Sequence, residues 1–258
     1  MKSTLKLWLL GFLTLAAIII VFTLKPISQN IAFHDFADHR SFWGIPNFGN
    51  VMSNIPFLII GTLGLSFLKK ATRSKEMIPI YGVLFTGIIL TGLGSAYYHY
   101  NPNNGSLIYD RIPMTIVFMS FLSATVAELI DVRLGTRLLL PLVILGASSV
   151  LWWHYTESLG RGDLRLYGLV QYYPMVFIPL ILLLFRSPTS NKGMTSLIWV
   201  VVWYVIAKLL EKFDREIYST LRFISGHSLK HLAAAVSTWY LVKLFEQKHI
   251  EKRQVYPL

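Results

Sequence analysis

Long apolar runs separated by short polar stretches dominate the chain. A membrane-crossing helix needs about 20 mostly apolar residues. Runs of that kind fall at 6–24, 50–68, 78–99, 111–130, 137–155, 167–185, 195–211 and 226–245. The pattern predicts an all-α, polytopic membrane helix bundle. The sixth and seventh runs are near the short limit. The eighth carries Lys230 and Lys243, which can snorkel toward opposite ends of a helix. No tandem repeat, low-complexity tract or soluble domain interrupts the series. Lys2 and Lys6 precede the first run as they would in a signal peptide. However, Leu7 to Leu24 exceeds a usual apolar region of about 7–15 residues, and Thr23-Leu24-Lys25-Pro26 offers no small-x-small cleavage site. An uncleaved anchor is expected.

Composition agrees with a membrane protein. Hydrophobic residues make up 54% of the chain and charged residues 14%, where soluble proteins carry about 25% charged. Mean hydropathy is +0.53. These values exclude a soluble globular domain, a disordered chain and a nucleic-acid binder. The net charge of +11 is held in short clusters between apolar runs, which suits membrane orientation. With the N-terminus inside, the inner side collects Lys2, Lys6, Lys69, Lys70, Arg73, Lys75, Arg133, Arg137, Arg186, Lys192, Lys243, Lys248, Lys252 and Arg253. That majority predicts both termini in the cytoplasm and 25–49 on the far side. Short loops suit a bacterial inner membrane. Without cysteine, disulfides, Fe–S clusters, thiolate zinc sites and a Cys nucleophile are excluded.

Ionisable groups in or beside membrane spans are costly, so each is a functional candidate. Ser95 and His99 end the third run at i and i+4, on one helical face. An interfacial His in an aromatic belt with Tyr97, Tyr98 and Tyr100 is the plainer alternative. The turn Asn101-Pro102-Asn103-Asn104-Gly105 then reverses the chain and returns Asp110 to the level of His99. Asp110 can equally be a helix N-cap, with Pro113 in the first turn. His227 and His231 open the last run, also at i and i+4, the spacing of helical zinc-binding pairs. Two interfacial histidines remain the alternative there. The alternation of spans brings His99, Asp110, His227 and His231 to one end of the bundle, the outer one. Three imidazoles with a water in the fourth position make an open zinc site suited to hydrolysis. His34 and His39 lie in a polar loop, His249 in the tail, and His154 is kept as a group behind the ligands.

With Ser95-x3-His99-x10-Asp110, Pro113-Met114 and His227-x3-His231, the chain resembles the alkaline ceramidase family. That family belongs to a superfamily of seven-helix intramembrane hydrolases that includes adiponectin-receptor-like and Per1-like proteins. The segment Asn47-Phe48-Gly49-Asn50-Val51-Met52-Ser53-Asn54 is also similar to the family's first core helix. The resemblance implies a seven-helix hydrolase domain over 33–245; the membrane anchor over 1–32 is extra to it, and 246–258 is expected as a cytoplasmic tail. It implies an amidohydrolase cleaving the N-acyl bond of ceramides, with zinc on His99, His227 and His231 and with Ser95 and Asp110 completing the site. Asp110 would orient water and carry its proton, and Ser95 would support the oxyanion. The lipid tails would lie in an apolar cavity among the helices. The family's calcium site would map to Asp35, the Phe36 carbonyl, Asp38 and Asn47, although Arg40 and a lost acid at Asn47 depart from its pattern. A surface turn with Asp–Arg pairing is the alternative. Lys230 is a second departure, a cation where eukaryotic relatives tend to carry an aromatic residue. Two further readings keep the zinc: hydrolysis of another acylated lipid, as in Per1-like proteins, and a receptor-like lipid-binding protein with structural zinc.

Overall fold

Polar residues at the turns set where the apolar runs begin and end as helices. A computed structural model describes residues 3–69, 75–185 and 192–255. The order is α1 (Ser3–Thr23), a 3-10 turn (Ile31–His34), α2 (Phe48–Met52), α3 (Ile55–Lys69), α4 (Met77–Tyr100), α5 (Asn104–Leu129), α6 (Val132–Ser158), α7 (Arg165–Phe185), α8 (Lys192–Lys212), α9 (Asp214–Leu221) and α10 (Gly226–Val255). Among the described residues there is no strand. Lys2, Lys70, Arg73, Arg186, the side chain of His249 and the end of the tail lie outside the described residues.

Helices form at all eight expected places. Among the described residues six spans, from Thr4–Thr23 through Arg165–Phe185, are long and apolar enough to cross a membrane, so this is a multi-pass membrane protein. α10 falls short of that standard because Lys230, Lys243 and Glu246, with His227 and His231, break its apolar run. α5 packs against α4, α6 and α7, and α10 against α8 and α3. The main core gathers Ile80, Leu84, Phe85 and Ile88 of α4 with Phe121 of α5, Ile178 of α7 and Val242 of α10. Apolar side chains such as Trp8, Leu140, Val176 and Leu183 cover the outside, as a lipid-facing surface requires. α1 lies at the periphery on α7, where Thr14 Oγ1 and Tyr173 OH are 2.7 Å apart.

Two residues of α5 stand deeper in the helix than the apolar pattern predicts. α5 begins seven residues before the expected position 111. Asn103 and Ser106 form a capping box, with Asn103 Oδ1 accepting from Ser106 N at 3.0 Å and Ser106 Oγ from Asn103 N at 3.1 Å. Asp110 is therefore not the cap; it lies nearly two turns inside the helix, buried. Pro113 likewise lies well inside α5 rather than in its first turn. Having no N–H, it cannot bond the carbonyl four residues back, that of Tyr109. α4 meets α5 at this oxygen. A Cβ on Gly94 would stand 1.8 Å from Tyr109 O, so only a hydrogen fits.

Gly94→Ala is expected to force α4 and α5 apart, at a cost of about 1–3 kcal/mol or more. In detergent it should melt well below the parent, whereas Gly11→Ala, with nothing within 4 Å of the new methyl, should not. Equal melting temperatures for both variants would refute this contact.

Candidate metal centre

Three histidines predicted from their spacing come together in space. His99 comes from the last turn of α4, and His227 and His231 from the first turns of α10. All three are buried. Their Nε2 atoms converge: His99 to His231 is 3.2 Å and His227 to His99 is 3.3 Å. In a tetrahedral zinc site with bonds near 2.0–2.1 Å, ligand nitrogens stand about 3.3–3.4 Å apart. Two of the three nitrogen pairs thus stand at the spacing of a zinc coordination edge, all three atoms lie within 4.8 Å of one another, and imidazole is a normal zinc donor. Among the described residues this is the one group of three or more His, Asp or Glu side chains able to hold a metal ion.

Supporting contacts set the rings. Ser53 Oγ lies 2.7 Å from His231 Nδ1 and donates to Asn50 O at 3.1 Å. A hydroxyl that spends its proton on a carbonyl must accept from Nδ1–H, which leaves Nε2 free to ligate. The Phe36 ring packs on both His99 and His227, with centroids 4.6 Å from each. Asn47 Nδ2 donates to the His99 carbonyl at 2.9 Å. The start of α10 is held by Asp214, whose Oδ1 accepts from His227 N at 2.7 Å and whose Oδ2 accepts from Ala37 N at 2.9 Å. Gly226 permits this docking, since a Cβ there would stand 2.4 Å from Leu210 O.

Ser95 and Asp110 also meet. The Gly94 contact presses α4 onto α5 and brings the Ser95 side chain against the buried Asp110 carboxylate. Lys230, one residue from His231, does not stand as a bare cation. Its Nζ donates to Glu211 Oε1 at 2.6 Å, while Lys208 Nζ donates to Glu211 Oε2 at 2.7 Å. His154 joins neither group; it sits partly buried on α6 beside Trp153.

The calcium expectation does not fit. Asp38 receives three hydrogen bonds from Arg40, two from the guanidinium at 2.8 Å and one from its backbone N at 3.1 Å. Burial pushes the Asp38 carboxyl up, but the Arg40 hydrogen bonds together outweigh it and hold the group below the ordinary carboxylate range. Asp35 is exposed and bound to Arg215 at 2.5 Å and His39 at 3.2 Å. Both carboxylates are thus matched by protein cations, and Asn47 turns its amide NH2 to His99. The stretch is the Asp–Arg-paired turn.

Sequence reasoning missed Ser53, Asp214 and Glu211 as parts of this end of the bundle. Ser53 carries a signal, since it and Asn54 interrupt an apolar run just before α3. Asp214 and Glu211 carry none, being polar residues at an expected helix end.

A buried three-imidazole cluster inside a multi-pass helix bundle defines a membrane protein with a candidate metal centre. The family model described as Ceramidase matches residues 37–257. The chain belongs to the ceramidase family, with α1 outside the matched region. No curated protein and no solved structure matched the chain.

His99→Ala, His227→Ala and His231→Ala are each expected to lose bound zinc while still inserting into the membrane, because insertion depends on the apolar runs. Ser53→Ala should keep the ligands and weaken zinc about 10–100-fold. Metal analysis of the purified variants decides this; parent-like zinc content in all three histidine variants would refute the ligand set.

Proposed function

We propose that this protein is a zinc-dependent intramembrane amidohydrolase that cleaves the N-acyl bond of ceramides to a sphingoid base and a free fatty acid. The observation that carries the reading is the convergence of three buried imidazoles, two of their Nε2–Nε2 distances at zinc spacing, beside the buried Ser95 and Asp110. His99, His227 and His231 would hold the zinc. Zinc supplies, when bound, Lewis acidity and a water whose pKa is brought toward about 7.

The remaining work falls to this chain's own groups. Asp110 accepts the attacking water's proton and returns it to the leaving nitrogen, so that the sphingoid amine departs neutral. Ser95 Oγ–H, supported by Asp110, turns toward the developing oxyanion of the amide carbonyl. Ser95 is not the nucleophile in this scheme; the base beside it, Asp110, serves the attacking water. Phe36, packed on two of the imidazoles, limits the access of bulk water.

Space for the lipid supports the reading. An apolar cavity of about 100 Å³ lies between α3, α4, α5, α8 and α10, lined by Phe57, Ile88, Phe121, Val200 and Leu241. A larger cavity of about 490 Å³, bordered by Asp110, shares Met114, Phe118, Tyr204 and Ala234 with it. An acyl chain in the first would bring its amide to the second. In this reading both termini face the cytoplasm, and the site opens toward the periplasmic side of a bacterial inner membrane. The anchor over 1–32 is a separate element from the hydrolase domain.

Asp110→Asn keeps the side chain's size but cannot carry a proton. The expected outcome is retained zinc, a near-parent melting temperature and a fall in ceramide turnover of at least a hundredfold, within the range of about 10²–10⁴ for lost acid–base catalysis. Turnover near the parent rate would remove the proton carrier and favour a structural metal.

Topology is checked separately. A reporter fused after Leu258 should read cytoplasmic, and one inserted within 101–106 should read periplasmic. The opposite pair of readings would invert the orientation.

A further inference from the structure

The larger cavity contains a cation that takes no part in the proposed hydrolysis. Its wall carries Asp110 and Arg111 from α5, Lys208 and Glu211 from α8, and Lys230 from α10. Glu211 takes both lysines, one on each carboxylate oxygen. Asp110 stands against Ser95. Arg111 is left over. It is only 4% exposed. Its Nη2 donates to the neutral Gln29 Oε1 at 2.6 Å, and its Nη1 is buried with no partner. Among the described residues no ion pair involves it.

Three aromatic rings fix this guanidinium in place. Its centre lies 4.2 Å from the Trp153 ring centroid, 4.6 Å from Tyr167 and 5.6 Å from Phe33. Rings hold the cation electrostatically but give its N–H groups nothing to bond. A planar, rigid fork with an unused N–H arm matches the two oxygens of a carboxylate, phosphate or sulfonate. In a site shielded from water, an oxyanion would satisfy both the charge and the vacant donor.

The position narrows the source of that oxyanion. Arg111 directly follows Asp110 on the helix, and both border the same cavity. The apolar cavity, proposed for the acyl chain, shares the wall residues Met114, Phe118, Tyr204 and Ala234 with this one. With the acyl chain there and the amide at Asp110, Arg111 faces the amine half of the lipid.

We propose that Arg111, fixed by Trp153 and Tyr167 beside Asp110, binds an oxyanion on the headgroup of the lipid. Among ceramide-type N-acyl lipids, those with an acidic headgroup are then preferred over neutral ones. The inference rests on the N-acyl hydrolase reading for its substrate class, but the oxyanion site can be tested without turnover.

The probes are a neutral ceramide, the same ceramide with a phosphomonoester on its primary hydroxyl, and an N-acyl amino acid bearing a carboxylate. Binding is measured on the zinc-loaded, full-length Asp110→Asn protein in mixed micelles, by retention of radiolabelled lipid. At least one acidic lipid should bind tenfold or more tighter than the neutral ceramide. Adding Arg111→Gln should bring that ratio close to one. Arg111→Lys, which keeps the charge and loses the fork, should fall between, and it carries the test alone if the Gln variant does not fold. In the parent enzyme the same preference should appear in kcat/KM, chiefly through KM.

Equal binding of neutral and acidic lipids overturns the proposal, as does a preference that survives both Arg111 substitutions. If Arg111 instead gripped the carboxylate of the released fatty acid, its loss would slow every lipid alike and leave the ratio unchanged; that result also overturns it. Preference for an acidic lipid with no hydrolysis of any probe would remove the hydrolase reading and leave the oxyanion site standing. Hydrolysis of neutral ceramide without any acidic preference would do the reverse.

Discussion

The candidate site depends on the close approach of α4 to α5 at Gly94. Pro113 leaves the Tyr109 carbonyl without its helical hydrogen bond, and Gly94 lets the neighbouring backbone come up to that oxygen. Ser95 follows Gly94 and Asp110 follows Tyr109, so this one backbone contact makes the two polar side chains neighbours. One turn further along α4, His99 then faces α10. A proline and a glycine, each unfavourable inside a helix by propensity, are used here to fix a distance.

The second requirement is a fixed start for α10. α10 would fray if the N–H groups of its first turn, that of His227 among them, were unbonded. Asp214 bonds the His227 N–H and, with its other oxygen, the Ala37 amide. One carboxylate therefore ties the histidine helix to the loop that carries Phe36. Ser225 adds a cap, its Oγ accepting from Ser228 N at 3.1 Å. The imidazoles are thereby positioned by main-chain anchoring at one end and by the Ser53 contact at the other.

The helix positions and the histidines are legible in the sequence because both follow from strong, simple regularities. Apolar length marks a span, and the i, i+4 spacing marks a shared face. Asp110 is harder to weigh. Its reading as a cap follows from starting the helix at 111, and the capping box at Asn103 and Ser106 removes that alternative. The calcium expectation comes from resemblance, and the Asp38–Arg40 pairing overrides it because a guanidinium two residues away already neutralises the carboxylate. Asp214, Glu211 and Arg111 acquire meaning only from partners distant in sequence. No spacing rule links Glu211 to Lys230 or Arg111 to Trp153, so tertiary structure alone reveals them.

The Lys208–Glu211–Lys230 arrangement has a consequence for how the chain is made. α10, with Lys230, Lys243, His227 and His231, is not apolar enough to enter a bilayer cheaply on its own, and an unpaired Lys230 in hydrocarbon would carry a heavy penalty. α8 brings Glu211 already paired with Lys208, and the second carboxylate oxygen takes Lys230. Membrane integration of α10 therefore leans on α8: the histidine helix gains a stable place once its neighbour is there. The element that completes the metal cluster is the one that needs a partner to settle in the bilayer.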